Sequence, residues 1–424
     1  MSNNNHNLKA NSTFKSYLIF WIGQLFSLLG SSVSQFAIIW WLTEASGSTV
    51  ILSIASFFNI LPMTIVIPIA GVLADRLNRK KIIIAADSCM AIIIVFLIFS
   101  FNFGFINPIV IIITNGFLGL FQGFHAPTVA SIVPTMVPKD KLSRMNGINF
   151  LFSGFMQIIG PVIAALLLAF IPIQILLWID PLTFIIALIP LLLINIPLVR
   201  KNDTEIKDFS FIEDFKDGFR TLRQIPLVFL MLLIAMFINF LWRPYGILLP
   251  YFVKFVHDGT ASDLALVMAL MNIGMFAGAV LTSVKKAWKH SISFYFGGEL
   301  FLMIMYAMIA LTPYGSFLIM GIVAACLGFV IPILNTIYLT IMQLEVPVEK
   351  MGRISSIDWM VSSVMSPIAA IIAGPLADIM GLTNLFLSCA AIGIVIALIF
   401  WEIAHIKITK KFNRNANLII PAEK

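Results

Sequence analysis

The chain has 424 residues, 60% of them hydrophobic and only 11% charged, with a net charge of +7. Soluble domains carry about 25% charged residues, so a soluble fold is excluded and the apolar side chains have to face lipid or one another in a bilayer. The positive excess would suit nucleic acid, but its distribution along the chain reports membrane topology instead.

Residues 1–16 form an Asn-rich leader whose composition predicts disorder. Twelve apolar runs follow, at 17–42, 50–74, 82–101, 107–133, 147–169, 173–196, 226–255, 262–284, 291–311, 315–342, 357–379 and 382–404. Most are long enough for a tilted helix to cross the ~30 Å hydrocarbon core. None alternates as a barrel strand does, and a helix satisfies its own backbone hydrogen bonds in lipid. The first run is too long for a cleaved signal peptide and has no small-residue cleavage site. The expected fold is therefore all-α, with six helices in 17–199, a polar linker at 200–225, six more in 226–404 and a tail at 405–424.

With the N-terminus in the cytoplasm, all but two of the 27 Lys and Arg fall in the tails or the cytoplasmic connections. The exceptions, Arg243 and Lys254, lie in the seventh run. Such a bias predicts cytoplasmic termini and a multi-pass protein of the plasma or inner membrane. Cys89, Cys326 and Cys389 sit in apolar runs without metal-ligand spacing and read as small packing residues; no metal or cofactor is expected.

The halves carry a repeat. Residues Val137 to Asn149, before the fifth run, match Val346 to Asp358, before the eleventh, with Val, Pro, Lys, Arg and Ile in register. Two similar six-helix bundles around a central site make a transporter architecture that can rock between two openings. In the linker, Phe211, Phe215, Phe219 and Leu222 follow helical spacing and predict an amphipathic surface helix.

Between the second and third runs stands Gly71-Val72-Leu73-Ala74-Asp75-Arg76-Leu77-Asn78-Arg79-Lys80-Lys81. It resembles the signature loop of the major facilitator superfamily, with Asn78 where Gly is usual; Asn tolerates a left-handed turn. Gly154, Gly160 and Pro161 resemble the antiporter motif of the fifth helix, and Asn115 replaces an Arg found in many drug–proton antiporters. With His125-Ala126-Pro127 and the Val-Pro loops, the chain looks most like the macrolide-efflux branch. The resemblance implies the major facilitator fold and proton-coupled efflux of hydrophobic or amphipathic drugs, macrolides first. The partners implied are a small-molecule substrate, protons, lipid and no nucleic acid, with the chain acting as a monomer. A facilitator or importer of a small metabolite or lipid is the alternative.

In this reading Gly71, Asp75, Arg76, Arg79, Lys80, Asp140, Arg144 and Arg353 form an inner gate. Asp75 docks on the N-terminus of the eleventh helix, near Ser355 and Ser356. Arg79 and Arg144 pair with Asp140 and Asp75. In the second half, Gly278 persists but Thr282 takes the Asp position. Charges at membrane depth are functional candidates by default. Glu299, Asp87 and Asp180 are candidates for proton coupling, and Asp358 is expected in the first turn of the eleventh helix, where the dipole favours an anion. Gln24, Gln35, Asn115, Gln122, His125, Asn239, Arg243 and Asn335 are candidates for the cavity lining; Gln24 and Gln35 share a helix face. No phosphate loop, zinc motif or nucleophile elbow is present, so the chain does not read as an enzyme.

Overall fold

A computed structural model describes residues 2–194, 196, 219–285, 288, 290–347 and 350–419. The side chains of Asp75, Arg76 and Arg353 lie outside that description, as do residues 200–218 of the expected linker helix. The described residues form long helices and no strand. They are α1 (Ser2–Ser46), α2 (Thr49–Arg76), α3 (Arg79–Asn102), α4 (Pro108–Met136) and α5 (Leu142–Leu168). A single turn, Ile173–Leu176, precedes α6 (Ile179–Leu193). The second half holds α7 (Pro226–Tyr251), α8 (Ala261–Val284), α9 (Ser291–Ala310), α10 (Phe317–Glu345), α11 (Met351–Met380) and α12 (Leu382–Ile419). Among the described residues, twelve segments are long and apolar enough to cross a membrane.

The two halves are built alike. In the first, α1 packs on α5 and α6, α2 on α4, and α3 on α4 and α6. In the second, α7 packs on α11 and α12, α8 on α10, and α9 on α10 and α12. The halves meet through α2 against α11 and α5 against α8. The repeat seen in sequence recurs in the backbone. Val137 ends α4 at φ −96°, ψ 128°, and Val346 ends α10 at −95°, 130°. Lys141 and Lys350, each four residues on, sit at −104°, −8° and −103°, −7° and start α5 and α11.

Lipid offers no hydrophobic drive between helices, so close backbone contact has to hold each half together. Glycines supply it. A Cβ at Gly119 would overlap the carbonyl of Asn59, joining α4 to α2; Cβ atoms at Gly274, Gly278 and Gly328 would overlap the carbonyls of Ala325, Phe329 and Met271, joining α8 to α10.

Several local expectations are corrected. α1 continues to Ser2 through the Asn-rich leader, because extending a formed helix costs far less than nucleating one. For the same reason α12 runs on to Ile419, into the expected tail. Asn78 is not left-handed: it is extended at φ −70°, ψ 107°, and its side chain caps α3 by accepting from the Lys81 N–H. α11 begins at Met351, so Asp358 lies two turns in, beyond the reach of the terminal dipole. Cys326 is exposed rather than packed. From the linker, residues 219–224 are described and helical; Leu222 is buried, and Lys350 donates to Thr221 at 3.0 Å, fixing this end to the second half.

Candidate functional site: a central seam flanked by buried polar clusters

The basic connections define one end of the molecule; the opposite end is called the far end. Hydrogen bonds and an ion pair join the two halves at the far end. Thr49 Oγ1, at the start of α2, donates to the Gly374 carbonyl at 3.1 Å and to Asp378 Oδ1 at 2.8 Å on α11. Glu44 of α1 pairs with Lys254 of the π-helical turn Phe252–Val256 at 2.8 Å, and Lys254 also lies over the Trp40 ring. The helices touch closely: a Cβ on Gly374 would come within 2.5 Å of the Thr49 carbonyl. Cβ atoms placed on Gly71, Gly147 and Gly154 meet nothing within 4 Å. Among the described residues, the seam is bridged at the far end.

The first half holds a polar cluster drawn from four helices. His125 Nε2 of α4 lies 3.1 Å from Gln24 Oε1 of α1 and 3.2 Å from Asp87 Oδ1 of α3. Asp180, in the first turn of α6, accepts from Ser31 Oγ at 2.8 Å and lies near enough to Asp87 for the two charges to interact. Both carboxylates are buried, at 5% and 8% exposure, whereas Ser31 and Gln35 on the same face of α1 are exposed. The structure thus brings together four residues that sequence reading nominated separately: Gln24, Asp87, His125 and Asp180.

The second half is different chemically. Glu299 of α9 is buried and bonded to Tyr295 on its own helix; Tyr295 donates to the Met231 carbonyl of α7 at 3.3 Å and stacks on Tyr338 of α10. Tyr338 donates in turn to Asp358 of α11. Glu299 is therefore enclosed within the bundle, one element of a tyrosine–carboxylate chain.

On α7 the Asn239, Arg243 and Gly246 positions share a face. Tyr245 packs into the bundle on Tyr306 and Phe386, and Phe237 packs on Phe400 of α12. At 100° per residue Arg243 points about 160° from Tyr245 and about 120° from Phe237, away from both contacts. Asn239 and Asn335 are exposed; Gln122 and Asn115 are half-buried, and the Asn115 carbonyl accepts from Asn59.

At the basic end, Arg79 Nε donates to the Ala74 carbonyl and its Nη1 to that of Ser131, each at 3.0 Å. Lys80 Nζ caps the C-terminus of α6 on the Leu192 and Ile194 carbonyls, at 2.6 and 2.8 Å, where the helix dipole favours a cation. These contacts lie within the first half. Asp140 and Arg144 are exposed, with no ion pair between them. Gly160 abuts Ser32 so closely that a Cβ would overlap it, which seats α5 on α1, and Pro161 is buried beside it.

Sequence reading missed the far-end contacts, Thr49 with Asp378 and Glu44 with Lys254, and missed Ser31 and Tyr338. Lys254 did carry a signal, as one of only two basic residues outside the basic connections.

The sequence model of the Major Facilitator Superfamily matches residues 20–370. Macrolide efflux protein A of Streptococcus pyogenes is 28% identical over 92% of this chain and 96% of its own. The multidrug efflux pump Tap of Mycolicibacterium fortuitum is 23% identical over 85% and 88%. Among solved structures, a bacterial homologue of the iron transporter ferroportin in an inward-facing state superposes with a TM-score of 0.69 at 14% identity, over 92% of this chain and 98% of the other.

Proposed function

Since this chain belongs to the major facilitator superfamily, a family of small-molecule transporters, we propose that it exports hydrophobic or amphipathic compounds, macrolides among them, in exchange for protons. The basic end faces the cytoplasm in this reading, in line with the positive-inside rule. The state described is then open to the cytoplasm and sealed outside by Thr49, Asp378, Glu44 and Lys254. Export follows from rocking the halves until this seal parts and the basic end closes, with Asp75, Arg76, Arg79, Lys80, Asp140, Arg144 and Arg353 as the inner gate. Gly154, Gly160 and Pro161 belong to the helix that flanks the seam.

The observation that carries proton coupling is the Asp87–His125–Gln24 cluster with Asp180 beside it. Two buried carboxylates lie here beside one imidazole, held by groups on neighbouring helices. A proton gained or lost there alters hydrogen bonds on α1, α3, α4 and α6 together. The cluster sits behind the seam-facing side of α1, so substrate entry and proton binding act on one helix. Gln24, Gln35, Asn115, Gln122, His125, Asn239 and Asn335 supply polar contacts around the pocket. Glu299, enclosed by Tyr295, is the weaker proton carrier of the three.

Uptake of erythromycin into inside-out vesicles under an imposed pH gradient tests the reading. Accumulation should require an acidic lumen and vanish in the Asp87→Asn protein. Accumulation that ignores the gradient would remove proton antiport, and absence of macrolide uptake would remove the substrate class.

A further inference from the structure

We propose that Arg243 is an anion-recognition residue, and that the central pocket also takes amphipathic compounds bearing a carboxylate or phosphate group, alongside the macrolides. The proposal rests on the export reading above for the pocket's role and names the chemistry of what enters it.

Arg243 lies 17 residues from the start of α7, about 26 Å along the helix at 1.5 Å per residue. The segment ends 13 residues later at Val256, so the side chain stands near the middle of the membrane. Substrate sites of transporters built from repeats lie at this depth, between the halves. The face it occupies, with Asn239 and Gly246, points away from the bundle. Asn239 is exposed, and a Cβ on Gly246 meets open space. Pro244 and the Trp242–Tyr245–Tyr306 ring cluster stiffen the helix behind it.

The other charged groups at depth are provided for within the protein. Asp87 has His125, Asp180 has Ser31, Glu299 has Tyr295, Asp358 has Tyr338, and Lys254 has Glu44. Arg243 differs. Its Nε is buried with no hydrogen-bond partner, and no carboxylate of a described residue is within ion-pair distance. A guanidinium is charged at any physiological pH and presents a planar fork of donors that matches carboxylate and phosphate. A half-buried guanidinium whose Nε finds no acceptor in the protein carries a standing deficit, and an anionic ligand relieves it. A neutral or cationic ligand leaves the deficit in place or worsens it.

The test uses purified full-length protein and two xanthene dyes of like shape: rhodamine B, with a free carboxylate, and rhodamine 6G, in which that group is an ester. Binding is read by quenching of tryptophan fluorescence. Wild type should bind rhodamine B about tenfold or more tightly than rhodamine 6G. Arg243→Gln should weaken rhodamine B about ten- to hundredfold and leave rhodamine 6G within about twofold, which also shows that the variant is folded. Arg243→Lys, with its charge but no fork, should fall between. Equal wild-type affinity for the two dyes, or equal loss of both in Arg243→Gln and Arg243→Lys, would overturn the proposal. Transport of the dyes into inside-out vesicles is scored apart. Charge-selective binding without export upholds the subsite and defeats the export reading; export without charge selectivity does the reverse.

Discussion

Gly374→Ala should shift the transporter away from the described state. An alanine Cβ there would lie 2.5 Å from the Thr49 carbonyl, 2.6 Å from Val50 Cα and 2.7 Å from Ser53 Oγ, whereas ordinary contact begins at 3.4 Å. Two of the three obstacles are backbone atoms, so α2 and α11 would have to separate by about 0.9 Å at this point. Overpacking of this kind costs about 1–3 kcal/mol. The separation also strains the Thr49 bonds to Gly374 and Asp378. All of this falls on the state in which the far end is closed, because the opposite state parts these helices. The equilibrium should therefore move about 5- to 150-fold toward far-end opening. Spin labels at Phe103→Cys and Leu311→Cys, exposed positions at the far ends of α3 and α9, report the opening by pulsed electron resonance in a background lacking the three native cysteines. The longer distance should gain population in Gly374→Ala. Gly119→Ala is the control: its overlap with Asn59 lies within one half, so it should lower thermal stability without changing the ratio of distances. An unchanged distribution in a folded Gly374→Ala protein would refute the reasoning.

Lys254→Ala removes a partly exposed ion pair worth about 0.2–1 kcal/mol, so it should favour far-end opening less than Gly374→Ala in the same assay; exchanging both charges, Glu44→Lys with Lys254→Glu, should restore the wild-type ratio. Asp87→Asn and His125→Asn should reduce gradient-driven macrolide accumulation to that of vesicles without a gradient, while drug–drug exchange persists; loss of exchange as well would point to a structural role. Burial holds the His257 imidazole below its ordinary range, with a hydrogen bond to the Pro313 backbone opposing the shift. Its folded-state value is thus lower than the unfolded one, so the stability it contributes is present above about pH 6.5 and is lost as pH falls from there through the folded value. The melting temperature of wild type should therefore drop more between pH 7 and pH 5 than that of His257→Gln.

Much of the architecture was legible because lipid permits few solutions. A run of twenty apolar residues that cannot hydrogen-bond to solvent has to be a helix, and the matched loops at Val137 and Val346 announced two equivalent halves. Helix ends were less legible. Composition marked the leader as unstructured and placed Asp358 in a first turn, but helices persist past the membrane wherever no residue stops them. Asn78 read as a stand-in for Gly, yet its side-chain oxygen does a cap's work that a glycine cannot. Partnerships across the bundle were least legible. Ser31 with Asp180 spans 149 residues and Thr49 with Asp378 spans 329; no local pattern encodes such a pair. Sequence nominated the charged member in the first case and neither member in the second.

The glycine-notched pairs, α2 on α4 and α8 on α10, limit how the molecule can adapt to a bulky guest. Neighbouring main chains already interlock there, so neither half can loosen its own walls to make room. New cargo specificities should therefore arise by exchanging the side chains that project from those walls, and adaptive changes during selection on unfamiliar compounds should gather at such positions while the interlocking glycines stay untouched.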